Sequence, residues 1–415
     1  MKIGLLGQFG SGNSGNDGSL EAMLSFLRKA APDAEFLCIC SNPKVVEARY
    51  KIPSVGIAGH RQQGRAFRMV DKLMAQVPHR LLGLWGGFAM LHGVDLLIVP
   101  GTGILDDFQE SAFGWPFVVF RWCLAARLRG ARVALVSIGA GPITGRLSRW
   151  FMKSVAGMAA YRSFRDGYSL EYMKNIGTDV SADHRYPDIA FGLRAPDGVA
   201  KPAGSNPTVG VGVMDYHGWR KGDPRSEEIY RTYLGKLASF TCWLAAQGYG
   251  VRLLTGDAVD RRAVDDLLRD IARTLPPADF ERISVGAGQS LHDVMGELAR
   301  VDIAVVSRYH NLVCALKMGR PAISLGYAQK NDELMAAFGL QPFCQHIERF
   351  DVGVLKAQVR SVLGNLDALA DRVHEVNRDV QRQLGEQQDL LRVRFLGSAA
   401  ERERGESRQY LELDR

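Results

Sequence analysis

The stretch from Val301 to Phe338 limits the possible folds more than any other part of this 415-residue chain. Val301–Ser307 (VDIAVVS) is a nearly continuous apolar run, the pattern of a strand buried on both faces of a parallel sheet. Leu312–Met318 reads as a short helix, Pro321–Tyr327 (PAISLGY) as a second strand, and Asp332–Phe338 as a second helix. Parallel strands need crossovers of this kind, so the pattern predicts consecutive βα units. Ser307-Arg308-Tyr309-His310-Asn311 then falls at the C-terminal end of one strand, where a helix begins. Lys330 falls at the equivalent turn of the next unit. Open parallel sheets bind ligands at that edge. A helix N-terminus adds unbonded N–H groups and a positive dipole end, which suit an anion. Two cations and an imidazole at these turns imply a small phosphorylated or carboxylated ligand.

The same alternation runs through the rest of the chain. Ile3–Gly7, Phe36–Cys40, Leu96–Val99, Val133–Ile138 and Tyr161–Arg165 read as strands. Ser19–Ala30 and Pro116–Arg129 read as helices, and Asp166 reads as the N-cap of another. Arg194–Pro207 is dense in Pro and Gly and has no apolar period, so it reads as a linker. A second series follows: Thr208–Met214, a long helix near Glu227–Gln247, Val251–Thr255, a helix from Asp260, and Ile283–Val285. The predicted fold is α/β, two Rossmann-like domains with parallel sheets. Residues 1–195 form the first, 196–207 the linker and 208–345 the second, with helices and a charged tail over 346–415.

The net charge of +7 favours an anionic ligand or surface, but no nucleic-acid motif is visible. Six cysteines without a C-x-x-C pair predict buried free thiols and a reducing compartment. The chain enters a strand at once, with no signal-peptide pattern, so a cytoplasmic location is expected. Leu81–Pro100 is apolar but broken by His92 and Asp95, which argues against a membrane span. Over residues 60–92, Arg61, Arg65, Arg68, Lys72 and Arg80 stand against Asp71 alone, with apolar residues interleaved. This stretch is either a helical flap over the site or a peripheral contact with anionic lipid at the inner face of a membrane.

Gly10-Ser-Gly12-Asn13-Ser-Gly15 matches G-x-G-x-x-G after the first strand. The second strand, however, ends in Ser41-Asn42-Pro43 and lacks the acid that binds a ribose, so no nicotinamide cofactor is expected. The glycines still allow backbone to approach a ligand closely, which makes Gly12 and Asn13 candidate contacts, or this is simply a tight βα turn. Gly101-Thr-Gly103, followed by Asp106-Asp107, and Gly139-Ala-Gly141-Pro142 are further glycine-rich strand ends. The adjacent carboxylates have no histidine partners, and no metal site is expected. Arg165 either contacts an anion or pairs with Asp188. His217, after the first strand of the second domain, is either a solvated loop residue or part of the site.

Taken in order, five segments resemble the polysaccharide pyruvyl transferase family over residues 1 to about 345. They are Asn13-Ser-Gly-Asn-Asp17-Gly-Ser-Leu-Glu-Ala-Met, Gly101-Thr-Gly103-Ile-Leu, Ser163-Phe-Arg165-Asp166-Gly-Tyr-Ser, Pro187-Asp188-Ile-Ala-Phe, and Ser307-Arg308-Tyr-His310 with Ala315-Leu316, Gly319-Arg-Pro321 and Lys330. The resemblance implies a GT-B-like protein with a cleft between its domains, acceptor side first and donor side second. It implies transfer of pyruvate from phosphoenolpyruvate to a glycan or lipid-linked sugar, usually as a cyclic ketal, without a cofactor. Arg308, His310 and Lys330 would then be donor-site residues and Arg165 a contributor. The family often has Asn-x-Gly-Asp where this chain has Asn13-Ser-Gly15-Asn16-Asp17, which leaves the role of Asp17 open. In chemical terms Arg308 can fork a carboxylate or phosphate, and Lys330 supplies a point charge. His310 is either a general acid/base or a phosphate ligand only. A GT-B glycosyltransferase using a nucleotide sugar and a non-catalytic glycan- or nucleotide-binding protein are the competing readings, and a homo-oligomer is compatible with all three.

Overall fold

The computed structural model describes residues 1–58, 86–107, 110–198, 206–218 and 222–397. All five basic residues of the 60–92 stretch, most of the expected linker (199–205) and the tail from 398 lie outside the described residues.

The chain divides into two compact units. One comprises Met1–Ser11, Ser19–Ile189 and the segment from Arg382; the other comprises Gly12–Gly18 and Ala190–Gln381. This division differs from the ranges read off the sequence at both ends. The turn at Gly12–Gly18 groups with the second unit, and the end of the C-terminal helical region groups with the first.

The first unit holds a parallel sheet of β1 (Lys2–Leu6), β2 (Glu35–Cys40), β3 (Ser54–Gly56), β4 (Leu96–Pro100), β5 (Arg132–Ile138), β6 (Tyr161–Phe164) and β7 (His184–Arg185). Their order is β3-β2-β1-β4-β5-β6-β7. Ile3 pairs with Phe36 on one side and with Leu96 on the other. The central strands are apolar at nearly every position because both faces are covered. On one face Val99 and Leu135 pack with Val119, Trp122 and Met152. On the other, Leu5, Ile98 and Val136 pack with Leu20, Leu24 and Phe395. Gln387 donates from Nε2 to the Oγ atoms of Ser137 and Ser163, both at 2.9 Å in the interior. The segment after Arg382 is thus part of this unit's core.

The second unit holds β8 (Thr208–Gly212), β9 (Gly250–Leu254), β10 (Ile283–Val285), β11 (Ile303–Val306), β12 (Ala322–Gly326) and β13 (Cys344–His346), ordered β10-β9-β8-β11-β12-β13 and all parallel. Val209 pairs with Val251 and with Ile303. The strand order reverses between β1 and β4 in the first sheet and between β8 and β11 in the second. Such reversal points open a crevice at the carboxyl ends of the strands.

Candidate functional site

In the second unit, β11 ends beside this reversal. The helix Tyr309–Lys317 follows, with Arg308 at its N-cap position, where the Arg308 side chain makes no capping hydrogen bond. Arg308 donates from Nε to Asp260 Oδ2 at 2.8 Å and from Nη2 to Asp260 Oδ1 at 2.5 Å. Its Nη1 lies 3.7 Å from Asp257 Oδ2. Asp260 is fully buried. It also accepts the N–H of Asp215, after β8, at 3.0 Å and the N–H of Gly256, after β9, at 3.2 Å. One carboxylate therefore ties three strand ends together. Burial pulls the Arg308 pKa down, but the hydrogen bonds and charge of Asp260 outweigh it and leave the guanidinium pKa raised. Burial pushes the Asp257 carboxyl up, against the pull of Arg308. The sequence expectation gave Arg308 a free fork; the structure fills its Nε–Nη2 edge with Asp260 and leaves Nη1 less engaged. Asp260 had been read only as a helix start.

The Gly12–Gly18 turn belongs to the same group of residues. Asn13 Oδ1 accepts the N–H groups of Gly15 and Asn16 at 3.1 and 3.2 Å, capping the helix Ser14–Ala30. Asn13 Nδ2 donates to Asp257 Oδ2 at 3.4 Å, and Ser14 Oγ donates to the Gly256 carbonyl. The backbone at Gly15 lies against His310: a Cβ there would stand 1.9 Å from the imidazole Nδ1. Only glycine fits. Gly12 has φ +94°, and Asp17 is buried in the first turn of the helix. Asn311, one residue beyond His310, is also buried, and among the described residues neither atom of its amide has a hydrogen-bond partner. The sequence offers no signal for this beyond proximity to His310.

Lys330 sits in the first turn of the helix Gln329–Ala337, whose N-cap residue likewise makes no side-chain capping hydrogen bond. Its Nζ lies 5.6 Å from the Tyr309 ring centroid and 5.4 Å from that of Tyr327. These cation–π contacts hold it near the Arg308 turn. Asn331 Nδ2 donates to the Ser307 carbonyl at 3.1 Å and joins the two strand ends. His217 is held in place although 34% of its side chain is exposed. Its Nε2 lies 3.1 Å from Asp215 Oδ1, and its ring stacks on Tyr230 at 4.5 Å and 8°. At the ends of β12 and β13 lies an open cavity of about 670 Å³, lined in part by Tyr327, Gln329, Asp332, Glu333, Gln345 and His346. With two carboxylates and no Lys or Arg in its lining, it suits a hydroxyl-rich group better than an anion.

In the first unit, Arg165 is buried after β6. Its Nη1 donates to Asp188 Oδ2 at 3.0 Å, and its Nε lies 3.6 Å from Asp166 Oδ2. Asp166 caps the next helix through Ser169 N at 2.7 Å, as expected. A Cβ on Gly139 would lie 2.7 Å from Arg165 Nη2, and one on Gly103 would lie 3.8 Å from it. The guanidinium thus rests on the turns after β4 and β5. Gly101 and Thr102 both have positive φ, +60° and +64°. For a β-branched residue this is strained, a feature that clusters at functional sites. The carboxylate of Asp107 accepts the N–H groups of Thr144 and Gly145 and anchors the loop before the helix Arg146–Met158. Among the described residues no group of three or more His, Cys, Asp or Glu is placed to hold a metal.

Two parallel Rossmann-like units, each with a reversal point, define a GT-B-like fold. The chain is similar to the UDP-GlcNAc 2-epimerase from Methanocaldococcus jannaschii, with a TM-score of 0.58, 11% identity, and coverage of 87% of this chain and 92% of that one. It is also similar to a putative UDP-N-acetylglucosamine 2-epimerase from Listeria monocytogenes, with a TM-score of 0.57, 12% identity and 90% of each chain. A glycosyltransferase from Rickettsia africae matches with a TM-score of 0.54, 12% identity, and 92% of this chain and 93% of that one. At these identities the likeness is one of fold. The sequence pattern of the polysaccharide pyruvyl transferase family matches residues 13–329, and the chain belongs to that family; it is a transferase.

Proposed function

We propose that the protein moves pyruvate from phosphoenolpyruvate to a sugar of a surface polysaccharide or its lipid-linked precursor, forming a ketal and releasing phosphate. The observation that carries this reading is the pair of adjacent helices, Tyr309–Lys317 and Gln329–Ala337. In neither does the N-cap residue's own side chain cap the helix, and their starts carry Arg308, His310 and Lys330. Helix N-termini beside two cations suit a ligand that bears both phosphate and carboxylate. Because Asp260 takes one edge of Arg308, the donor meets the Nη1 side, with Lys330 as the second cation. A sugar hydroxyl loses its proton and attacks C2 of the donor while a proton is delivered to the methylene carbon. The C2–O bond to phosphate then breaks, a second hydroxyl closes the ring, and its proton leaves. His310, buttressed by the Gly15 backbone, is the group for these proton steps. Arg165, Gly101, Gly103, Gly12, Asn13, Asp17 and His217 serve as substrate contacts.

The test is incubation with phosphoenolpyruvate and a panel of glycans and lipid-linked sugars, reading free phosphate and the pyruvyl mass increment. Release of a nucleoside diphosphate from a nucleotide sugar would favour a glycosyltransferase instead. Binding without turnover for every pair would favour a non-catalytic protein. His310→Gln keeps a hydrogen-bonding group but cannot titrate near neutrality. Turnover in that variant is expected to fall by roughly 10²–10⁴, with donor binding little changed. Near-normal turnover would leave His310 as a phosphate ligand only.

A further inference from the structure

The helices Trp115–Leu128 and Arg146–Met158 of the first unit carry an aromatic cluster that the proposed chemistry does not use. Phe151 is buried at its centre, with ring centroids 6.1 Å from Phe113, 5.4 Å from Phe117, 4.9 Å from Phe120 and 5.3 Å from Trp150. The outer members face solvent: Trp150 is 54% exposed, Phe113 45% and the neighbouring Leu147 40%. Large apolar side chains gathered in this way mark an interaction surface.

Charge indicates the partner. Between Ser111 and Arg165 the chain has nine basic residues and no acidic one. Arg146, Arg149, Trp150 and Lys153 follow the i, i+3, i+4, i+7 spacing, so the three cations lie on the same helix face as the exposed tryptophan. None of the three forms an ion pair with a described residue. The opposite face, with Met152 and Val155, is in the core. An exposed tryptophan ringed by cations fits the headgroup region of an anionic bilayer, where the ring partitions at the interface and the cations meet lipid phosphate. Among the described residues no helix is long and apolar enough to cross a membrane, so contact would be peripheral.

We infer that this face docks the protein on an anionic lipid surface. The inference deepens the proposed function, because an acceptor carried on lipid is presented at that surface. It also fails separately. Absence of phosphate release sinks the chemistry and leaves docking intact; absence of docking leaves phosphate release intact.

The full chain is floated with phosphatidylcholine vesicles, with and without phosphatidylglycerol, at low salt. It is expected to rise only with the anionic vesicles. Reversing Arg146 and Arg149 to Glu is expected to lower partitioning at least about tenfold, with an unchanged melting temperature as the folding control. Trp150→Phe keeps an apolar anchor, so it is expected to bind still, yet to lose most of the tryptophan quenching by brominated lipid. No flotation, undiminished flotation of the double reversal, or undiminished quenching in Trp150→Phe overturns the inference. So does a Trp150→Asp variant whose only change is conversion from dimer to monomer, since the face would then join two copies of this chain.

Discussion

Removing Asp260 tests the centre of the second unit most directly. Its carboxylate accepts both arms of Arg308 and the N–H groups of Asp215 and Gly256, and it is fully buried. Breaking a buried ion pair from one side costs about 3–5 kcal/mol, because the remaining charge stays desolvated. Arg308 keeps 17% of its side chain exposed and has Asp257 at 3.7 Å, which places Asp260→Ala near the lower end, about 3 kcal/mol. That is roughly a hundredfold in the folded-to-unfolded ratio of this unit. Asp260→Asn keeps the volume but turns a donating amide toward Arg308 in place of an accepting oxygen, for about 2 kcal/mol. Urea titration followed by amide hydrogen exchange in β8, β9 and β11 isolates the second unit from the first. Donor affinity is measured in parallel by calorimetry with phosphoenolpyruvate, and a loss is expected because Arg308 is no longer held. Replacing both partners, Asp260→Leu with Arg308→Met, is expected to recover only part of the stability: the unpaired charge is gone, but the N–H groups of Asp215 and Gly256 lose their acceptor. It is not expected to recover transfer. Asp260→Ala within about 0.5 kcal/mol of wild type would refute the energetic argument. An active double variant would refute the role given to Arg308.

Three further outcomes are expected. Gly15→Ala places a methyl group 1.9 Å from His310 Nδ1 and is expected to lower turnover far more than melting temperature, because the ring can swing aside while the helix stays capped by Asn13; wild-type turnover would show that the ring position is immaterial. The Asp257 carboxyl is raised chiefly by burial, so its ionisation weakens the fold: its stabilising contribution is full below 3.8 and is lost as pH rises through the raised value. Asp257→Asn is therefore expected to melt above wild type at neutral pH, with the difference closing as pH falls below 3.8; a melting difference independent of pH would contradict this. Transfer is expected to survive a chelator, since the Asp107 oxygens are taken by Thr144 and Gly145 and the proposed function assigns the donor charge to Arg308 and Lys330. Loss of activity restored by added Mg²⁺ or Mn²⁺ would return Asp106 and Asp107 to consideration.

The central strands were legible because burial on both faces writes an apolar run into the sequence, as in LLIVP at β4 and IAVV at β11. β3, β7 and β13 were not: at two or three residues each they are too short to show a period, whereas β10, equally short, is marked by apolar Ile283 and Val285 at its ends. Candidate positions at strand ends followed from that alternation, which is why Arg308, His310 and Lys330 could be named. Their partners could not. Asp260 lies 48 positions from Arg308, Asp257 lies 244 from Asn13, and Gln387 lies 250 from Ser137. A buried arginine demands a counter-charge, but nothing local says which of many carboxylates supplies it. The same blindness assigned the Gly12–Gly18 turn to the first domain by chain proximity and the segment after Arg382 to a separate appendage.

At the glycine-rich turn a side chain of the protein itself comes close to the backbone. In a dinucleotide fold, glycine at such a turn makes room for a pyrophosphate. Here the tightest position, Gly15, makes room for the imidazole of His310, and Asn13 and Ser14 bind the Asp257 and Gly256 turn on either side. Gly256 in turn gives its N–H to the carboxylate that holds Arg308. A shift of the turn therefore acts on the imidazole directly and on the guanidinium through one intervening residue. Loosening Ser14→Ala removes a single hydrogen bond, a cost of about 1 kcal/mol. Yet it sits where both catalytic candidates are positioned, so the loss should appear in turnover before it appears in stability. If Ser14→Ala instead lowers the melting temperature with turnover per folded molecule unchanged, the turn is scaffolding alone, and the glycine at 15 is needed only for packing.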